Sequence, residues 1–277
     1  MSEWVARLLG FVFAFIFCVS AASAVTLSNA GGGSWAYYKE ITVRENSGKT
    51  ITDYQVLVEL NSANFDFSKA KSDGSDIRFS LNGEELNYWI EEWNPYAKKA
   101  KIWVKVPHIP ANGEVKIKMC YGNPSASAVS NGDKVFEFFD NFEDGDYTDK
   151  WESFNKRYTV TPTIEEVNGY LRVTGPNAGV GNWYDIGVWS KSDFSTDSGY
   201  VLTFKGYSDD ANHYDNVGLW DSNIVTTTGK VVESEQNVRI RTNRYTGGNQ
   251  PVSKTNDILN SIVIGSFIRL SYRFVKL

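Results

Sequence analysis

Four acidic residues stand close together near the middle of the chain, at Asp140, Glu143, Asp144 and Asp146. Carboxylates grouped in this way suit two kinds of chemistry, the cleavage of glycosidic bonds and the binding of calcium. Glycoside hydrolysis needs two carboxyl groups about 5–10 Å apart across a sugar ring. The other acidic pairs, such as Glu165-Glu166, are adjacent in sequence, and neighbouring residues of a strand point to opposite faces. We therefore predict that the protein is not an enzyme.

The same four carboxylates flank Gly145 in a segment typical of a loop, where hard oxygen ligands can surround a calcium ion. Their spacing does not match that of an EF-hand loop. One interpretation is therefore a structural calcium site, and the other is a set of solvated acidic residues in turns. No other cofactor is expected.

The chain has too few histidines and cysteines for most kinds of site that depend on these residues. His108 and His213 are the only histidines, and Cys120 is the only cysteine after residue 24. These residues cannot complete a zinc site of four protein ligands. A Ser-His-Asp triad would have to use one of the same two histidines, and no Gly-x-Ser-x-Gly motif is present.

Aromatic residues make up 14% of the chain and are the best indication of a binding site. Flat aromatic rings cover the apolar C–H patches of a pyranose, while amides and carboxylates bind its hydroxyl groups. Positions next to glycine-rich or polar segments are the best candidates for such a platform. In order of preference, these candidates are Trp183 with Tyr184, Tyr245 with Asn249, and His213 with Tyr214.

Core packing is the competing interpretation of the aromatic residues. With strict two-residue alternation, Trp89 and Trp93 share one face of a strand and Tyr88 takes the other. Four further tryptophans are expected in the core, namely Trp103, Trp151, Trp189 and Trp220.

Strands must position these residues, because no segment predicts a convincing helix. Tyr54–Leu60 and Ile102–Val106 alternate so that one row faces a core and the other faces water. Asn168-Gly169 predicts a hairpin turn, since both residues accept a positive φ. The pattern is that of an all-β protein with two β-sandwich or jelly-roll domains.

Composition divides the chain into three parts. The start has an apolar run, Leu8–Val19, followed by small residues, which is typical of a cleaved signal peptide. This run is shorter than the ~20 residues of a membrane span, so we expect no span after cleavage. Residues 122–133 are rich in Gly, Asn, Pro and Ser and mark a domain boundary. The predicted parts are a signal peptide at 1–24 and β-sandwich domains at 34–124 and 136–277.

The last predicted strand, Phe267–Lys276, stops at the end of the chain. Long apolar edge strands are normally covered or charged. One interpretation is that the second domain is incomplete at its C-terminus, and the other is that this strand pairs between two earlier ones. The net charge of −5 at pH 7 lacks the basic surface that nucleic acids require, so nucleic acid is not an expected partner.

Four motifs follow one another in the first predicted domain: Ser75–Phe79, Tyr88–Glu91, Ile102–Pro107 and Tyr121–Pro124. In this order they resemble the domain-of-unknown-function family 2341 over residues 34–130. The family occurs in secreted and surface proteins, many of them archaeal, and the resemblance implies no catalytic residue. Its members often continue with a concanavalin A-like lectin/glucanase module, and Phe139–Trp151 is similar to the start of one. The Glu-x-Asp-x-x-Glu pattern of such glucanases is absent.

The sequence thus predicts a secreted or cell-surface protein without enzymatic activity. Its expected role is adhesion, with the second domain binding a polysaccharide or glycoconjugate. One alternative is a structural envelope protein that contacts other envelope proteins. Another is a degenerate or truncated polysaccharide-degrading enzyme.

Overall fold

The protein is almost entirely β, which confirms the predicted all-β sandwich fold. The computed structural model describes residues 16–17, 27, 32–156, 163–175, 183–194, 200–208, 213–221, 236–245 and 255–266. Within these ranges, no helix is long and apolar enough to cross a membrane. Most of the predicted signal peptide and all of Phe267–Lys276 lie outside them, so both stay predictions. Contacts between residues of the chain cluster into two compact units, Met1–Phe136 and Glu137–Leu277.

The first unit contains two antiparallel sheets. Their strand orders are β1-β2-β8-β4-β5 and β3-β7-β6. A single 3₁₀ turn, Phe67–Lys69, follows β3. The strands are β1 (Ile16–Phe17), β2 (Tyr37–Arg44), β3 (Ile51–Asn61), β4 (Arg78–Leu81), β5 (Glu84–Leu86), β6 (Tyr88–Asn94), β7 (Lys99–Ile109) and β8 (Glu114–Tyr121).

Alternate residues of both sheets form the core of the first unit. On β3, Val56 and Val58 are buried while Leu57 between them is exposed. They pack in one cluster with Ile102 on the same sheet and Ile117 on the other. Full burial of each such aliphatic side chain contributes about 1.5–3 kcal/mol. The predicted alternation of these strands is therefore confirmed, and it holds the two sheets together.

A β-bulge in β6 changes the expected placement of its aromatic residues. The register with β7 shifts between Ile90 and Glu92, so the alternation reverses along the strand. Tyr88 and Trp93 consequently both pack against the core, whereas Trp89 lies on the other face. The expectation that Trp89 and Trp93 share a face is wrong, because one extra residue separates their rows.

Trp103 is half-buried rather than part of the core. It lies opposite Trp89 in register, and its ring and that of Trp89 contact Phe136 at centroid distances of 5.7 and 5.8 Å. Its indole Nε1 donates a 2.7 Å hydrogen bond to Glu91 Oε2. The apolar row of β7 already fills the core, so Trp103, in the alternate row, packs on the outside.

A buried carboxylate ties together the motif segments of the first unit. Asp76 is fully buried, and its Oδ1 accepts a 3.0 Å hydrogen bond from the backbone N of Lys71. Its Oδ2 accepts from the backbone N of Gly122 and of Asn123, at 2.7 and 3.3 Å. The Trp35 indole donates to the Asp76 carbonyl at 2.7 Å. These contacts give the Asp76 and Tyr-Gly-Asn motifs a structural role.

Arg78 is a second buried polar group of the same unit. Its guanidinium donates to the carbonyl oxygens of Ser75 and Ser127, at 3.0 and 2.6 Å, and to the Tyr88 hydroxyl at 3.2 Å. Its Nε lies 3.3 Å from Glu85 Oε1, an ion pair without hydrogen-bond geometry. A buried charge needs such compensation, and here it joins β4 to the segment after β8.

The second unit also contains two antiparallel sheets. Their orders are β10-β13-β16-β15 and β11-β12-β17-β14, with β9 paired to β17. The strands are β9 (Phe138–Asp140), β10 (Trp151–Lys156), β11 (Thr163–Glu166), β12 (Leu171–Gly175), β13 (Trp183–Phe194), β14 (Tyr200–Ser208), β15 (His213–Asp221), β16 (Gln236–Tyr245) and β17 (Thr255–Ser266). The predicted hairpin between β11 and β12 is confirmed, with Asn168 and Gly169 at φ values of 52° and 72°.

Candidate functional site

The two faces of β13 differ in burial. Ile186 and Val188 are buried, and so they define the inner row of this strand. Trp189 belongs to the other row and is half-buried, with its ring stacked on Phe154 at 5.3 Å. Its Nε1 donates a 2.9 Å hydrogen bond to Glu152 Oε2. The expectation that Trp189 lies in the core is therefore wrong, since its ring is only half-buried and its indole is bonded to the exposed Glu152.

Strand register places the candidate residues relative to these rows. Trp183 on β13 is directly opposite Tyr245 on β16, and Asp185 is opposite Asn243. Asn243 is in turn opposite Tyr214 on β15. Directly opposed residues lie on one face of a sheet, as do residues two apart on a strand. All five positions therefore belong to the row that contains Trp189.

We call this set the Trp183 face. It combines aromatic, amide, carboxylate and guanidinium positions on three neighbouring strands, with Trp183, Tyr214 and Tyr245 at or near the end of the sheet where β13 begins and Trp189, Arg239 and Trp220 towards its opposite end. Its positions are Trp183, Asp185 and Trp189 on β13, Arg239, Arg241, Asn243 and Tyr245 on β16, and Tyr214, Asn216 and Trp220 on β15.

The remaining candidates are placed differently. Tyr184 and His213 are both opposite Arg244, in the same row as the buried Ile186. Asn249 lies outside the described residues. The three candidate pairs were expected near loops, whereas the five described positions are at strand ends, because β13, β15 and β16 extend through them. Trp220 is opposite Asn237 and shares a row of β15 with Tyr214, and its expected place in the core stays a prediction.

Sequence analysis missed the polar members of the Trp183 face. Arg241 and Asn243 lie on β16, where the sequence from Val238 alternates between apolar and polar residues. This alternation was a usable signal, because Val238, Ile240 and Thr242 form one row and the arginines and Asn243 form the other.

The predicted calcium ligands have separate hydrogen-bonding partners. Buried Asp140 accepts from the backbone N of Phe142 at 2.9 Å and from the indole of Trp151 at 2.6 Å. Asp146 caps a 3₁₀ turn by accepting from Thr148 N, at 3.0 Å. Asn141 donates to Glu143 Oε2 at 2.7 Å, and the Asp146 N donates to Asp144 Oδ1 at 3.0 Å.

In the part of the chain that is described, no group of three or more acidic, histidine or cysteine side chains is placed to hold a metal ion. The calcium interpretation of Asp140, Glu143, Asp144 and Asp146 therefore gains no support from their geometry. Trp151 is buried as expected, and its hydrogen bond to Asp140 gives this carboxylate a structural role.

Glu166 joins this acidic segment from the adjacent hairpin. Its Oε2 accepts a 2.9 Å hydrogen bond from Gly145 N, while its buried Oε1 has no protein N–H or O–H donor. Burial and a hydrogen bond shared with Asp144 raise the pKa of Glu166 to about 7. The backbone N–H of Asp146 lowers the pKa of Asp144. A single proton shared between the two carboxyl groups accounts for the raised pKa of Glu166 and the lowered pKa of Asp144.

This carboxyl pair differs from that of a glycosidase. Asp144 raises the pKa of Glu166 by interacting with it directly, whereas catalytic carboxyl groups stand at least about 5 Å apart with the sugar between them. Sequence analysis missed the pair because Glu166 comes from a different strand, and no local spacing connects it to Asp144.

Comparison with known proteins supports the first part of the expected resemblance. No curated protein and no solved structure matches the chain. No family match supports a concanavalin A-like module. The segment Phe139–Trp151, which is similar to the start of such a module, instead falls within a match to another family. Residues 73–154 match the family described as a domain of unknown function (DUF2341).

Proposed function

We propose that the protein binds a polysaccharide or glycoconjugate through the Trp183 face and acts as a non-enzymatic adhesion module. The observation that carries this proposal is the register of Trp183 with Tyr245. These aromatic residues are far apart in sequence and are directly opposed on neighbouring strands. Directly opposed residues share one face of a sheet, so this register gives a single face two aromatic residues, as a platform for pyranose rings needs.

The polar members of the face support the same ligand class. Asp185 and Asn243 are the next opposed pair in the same row, and Arg241 lies two residues before Asn243 on β16. Carboxylate, amide and guanidinium groups together provide donors and acceptors for sugar hydroxyls beside an apolar surface. A mixed face of this kind orients a saccharide without a reactive group.

Binding without hydrolysis is favoured by the acidic residues. Asp144 and Glu166, the carboxyl pair that the fold brings together, interact directly, whereas a glycosidase holds a sugar ring between its two carboxyl groups. Export to the cell surface is part of the proposal and is supported by the signal-peptide pattern of residues 1–24.

Sedimentation of the purified protein with insoluble polysaccharides tests the proposal. We expect wild type to pellet with at least one polysaccharide, and Trp183→Ala or Tyr245→Ala to weaken this binding roughly tenfold, equivalent to about 1.4 kcal/mol. Tyr170→Ala is the matched control, because Tyr170 is an exposed aromatic residue of the same unit in the β11–β12 turn.

The sedimentation experiment can also refute the proposal. If no polysaccharide pellets the wild type, or if Trp183→Ala and Tyr170→Ala bind equally well, carbohydrate recognition by this face is refuted. Capture of other envelope proteins would then favour the alternative role in protein contacts. Release of reducing sugar by wild type that Glu166→Gln abolishes would refute the non-enzymatic character.

A further inference from the structure

A surface groove of about 780 Å³ lies on the first unit. One wall is the loop of residues 62–72 after β3, and the other is the turn between β6 and β7. We call it the Tyr96 groove. Its volume falls within the ~300–1,000 Å³ of small-molecule sites. No residue of this groove was singled out from the sequence as a binding residue.

Core packing does not explain the position of Tyr96 at the groove. It is 94% exposed, although it stands in a well-defined turn in which Ala97 N donates to Asn94 Oδ1 at 2.9 Å. The next residue but one, Lys98, has a left-handed φ of 53°. Glycine or asparagine adopts this conformation at less cost than lysine does. The turn therefore presents an aromatic ring and an ammonium group to the solvent at some cost to stability.

Further aromatic rings line the groove, among them those of Phe65 and Tyr121. Phe65 contacts Tyr121 edge to face at 4.9 Å, and Tyr121 stacks at 5.5 Å on Tyr37, which lies next to the lining and is not part of it. Tyr37 keeps 39% of its surface exposed, and Lys69 Nζ lies 5.0 Å from the centre of its ring. Aromatic surface is thus available next to a positive charge.

The charge of the groove is opposite to that of the whole protein. Lys39, Lys69 and Lys98 line it together with one carboxylate, Asp66, while the chain carries a net charge of −5. Hydrogen bonds from Ser68 lower the pKa of Asp66, which therefore stays ionised and offsets one lysine. Lys69 Nζ is 4.0 Å from Asp66 Oδ2. A surplus of positive charge remains, and a concave surface concentrates its field.

We propose that the Tyr96 groove binds an acidic saccharide. A pyranose ring stacks on Tyr96, and its anionic group, a carboxylate or a sulfate ester, is bound by Lys69 and Lys98. The hydroxyl group of Ser62 in the lining suits a sugar hydroxyl. This site is in the first unit and does not depend on the Trp183 face.

Isothermal titration calorimetry of the full-length protein tests this site with three probes. They are oligogalacturonate for the carboxylate, sulfated dextran for the sulfate ester, and neutral mannan oligosaccharide. We expect an acidic probe to bind more tightly than the neutral one, and its affinity to fall with added salt. Tyr96→Ala should weaken binding roughly tenfold, and Lys69→Ala or Lys98→Ala roughly threefold each, as for a partly exposed charge pair.

Lys116→Ala is the matched control, since it removes the same charge from the same unit outside the groove, where Lys116 pairs with Glu40 at 3.1 Å. Loss of affinity in the groove variants and not in this control supports the proposal. The acidic probe that binds more tightly identifies the anionic group as a carboxylate or a sulfate ester. An equal loss in Lys116→Ala would mean non-specific charge attraction and refute the site. Absence of binding by both acidic probes would refute it too. A loss confined to Trp183→Ala would refute the groove and leave the Trp183 face standing.

Discussion

At the scale of single residues, Glu166 gives the clearest pH dependence. Burial, followed by the hydrogen bond with Asp144, raises its pKa from 4.5 to about 7. The folded protein therefore holds this proton more tightly than the unfolded chain does. Its contribution to stability is complete below the unfolded pKa of Glu and is lost as the pH rises through about 7.

We predict that Glu166→Gln removes the loss of stability that wild type shows as the pH rises, because the amide of the glutamine can donate to Asp144 at every pH. The melting temperature of the variant relative to wild type should rise between pH 5 and pH 8, as measured by circular dichroism. Glu165→Gln is the control, since Glu165 is exposed and pairs with Arg172 at 3.1 Å. A relative melting temperature of Glu166→Gln that does not change with pH would contradict the shared proton.

At the scale of elements, the corner after β8 depends on Gly122. This residue has a φ of +81°, and a Cβ added to it would lie 2.6 Å from the Tyr37 ring. Gly122→Ala must therefore both adopt a left-handed backbone and displace the Tyr37–Tyr121 stack. Gly83 is a matched control, because it has a φ of +91° and nothing within 4 Å of an added Cβ.

We predict that Gly83→Ala costs about 1–2 kcal/mol of unfolding free energy from the backbone alone. Gly122→Ala should cost about 1–3 kcal/mol more, because its methyl group overpacks the site. Urea denaturation of the two variants measures the difference. Equal losses would show that Tyr37 moves away freely and that the stack does not constrain the corner.

The elements also show what the sequence could predict. Alternation correctly identified the buried rows of β3 and β7, and the Asn168-Gly169 pair correctly identified a hairpin turn, because both signals are local in sequence. The bulge at β6 could not be predicted, since a single extra residue leaves no pattern of its own and yet reverses the faces of Trp89 and Trp93.

The candidate site was predictable only in part for a related reason. Trp183 and Tyr245 were chosen for their aromatic rings, but their opposition depends on the register of β13 with β16. Register is set by pairing between distant segments, which one sequence does not display. The same holds for Glu166 with Asp144, and for the Tyr96 groove, whose walls come from two separate loops.

At the scale of the whole molecule, the two proposed sites belong to separate units, which predicts that they act independently. The Trp183 face is built on β13, β15 and β16 of the second unit, and the Tyr96 groove on loops of the first. Substitutions that share no partners have additive effects on free energy, to within ~0.5 kcal/mol. Tyr96→Ala should therefore weaken binding of the acidic probe and leave binding to the insoluble polysaccharide unchanged.

Trp183→Ala should do the reverse, and the double variant should show both losses without enhancement. Calorimetry with the acidic probe and sedimentation with the polysaccharide measure the two affinities on the same preparations. Losses of both ligands in each single variant would show that one site serves both. If both single variants also melted at a lower temperature than wild type, the shared loss would instead come from misfolding, so thermal unfolding of each variant completes the comparison.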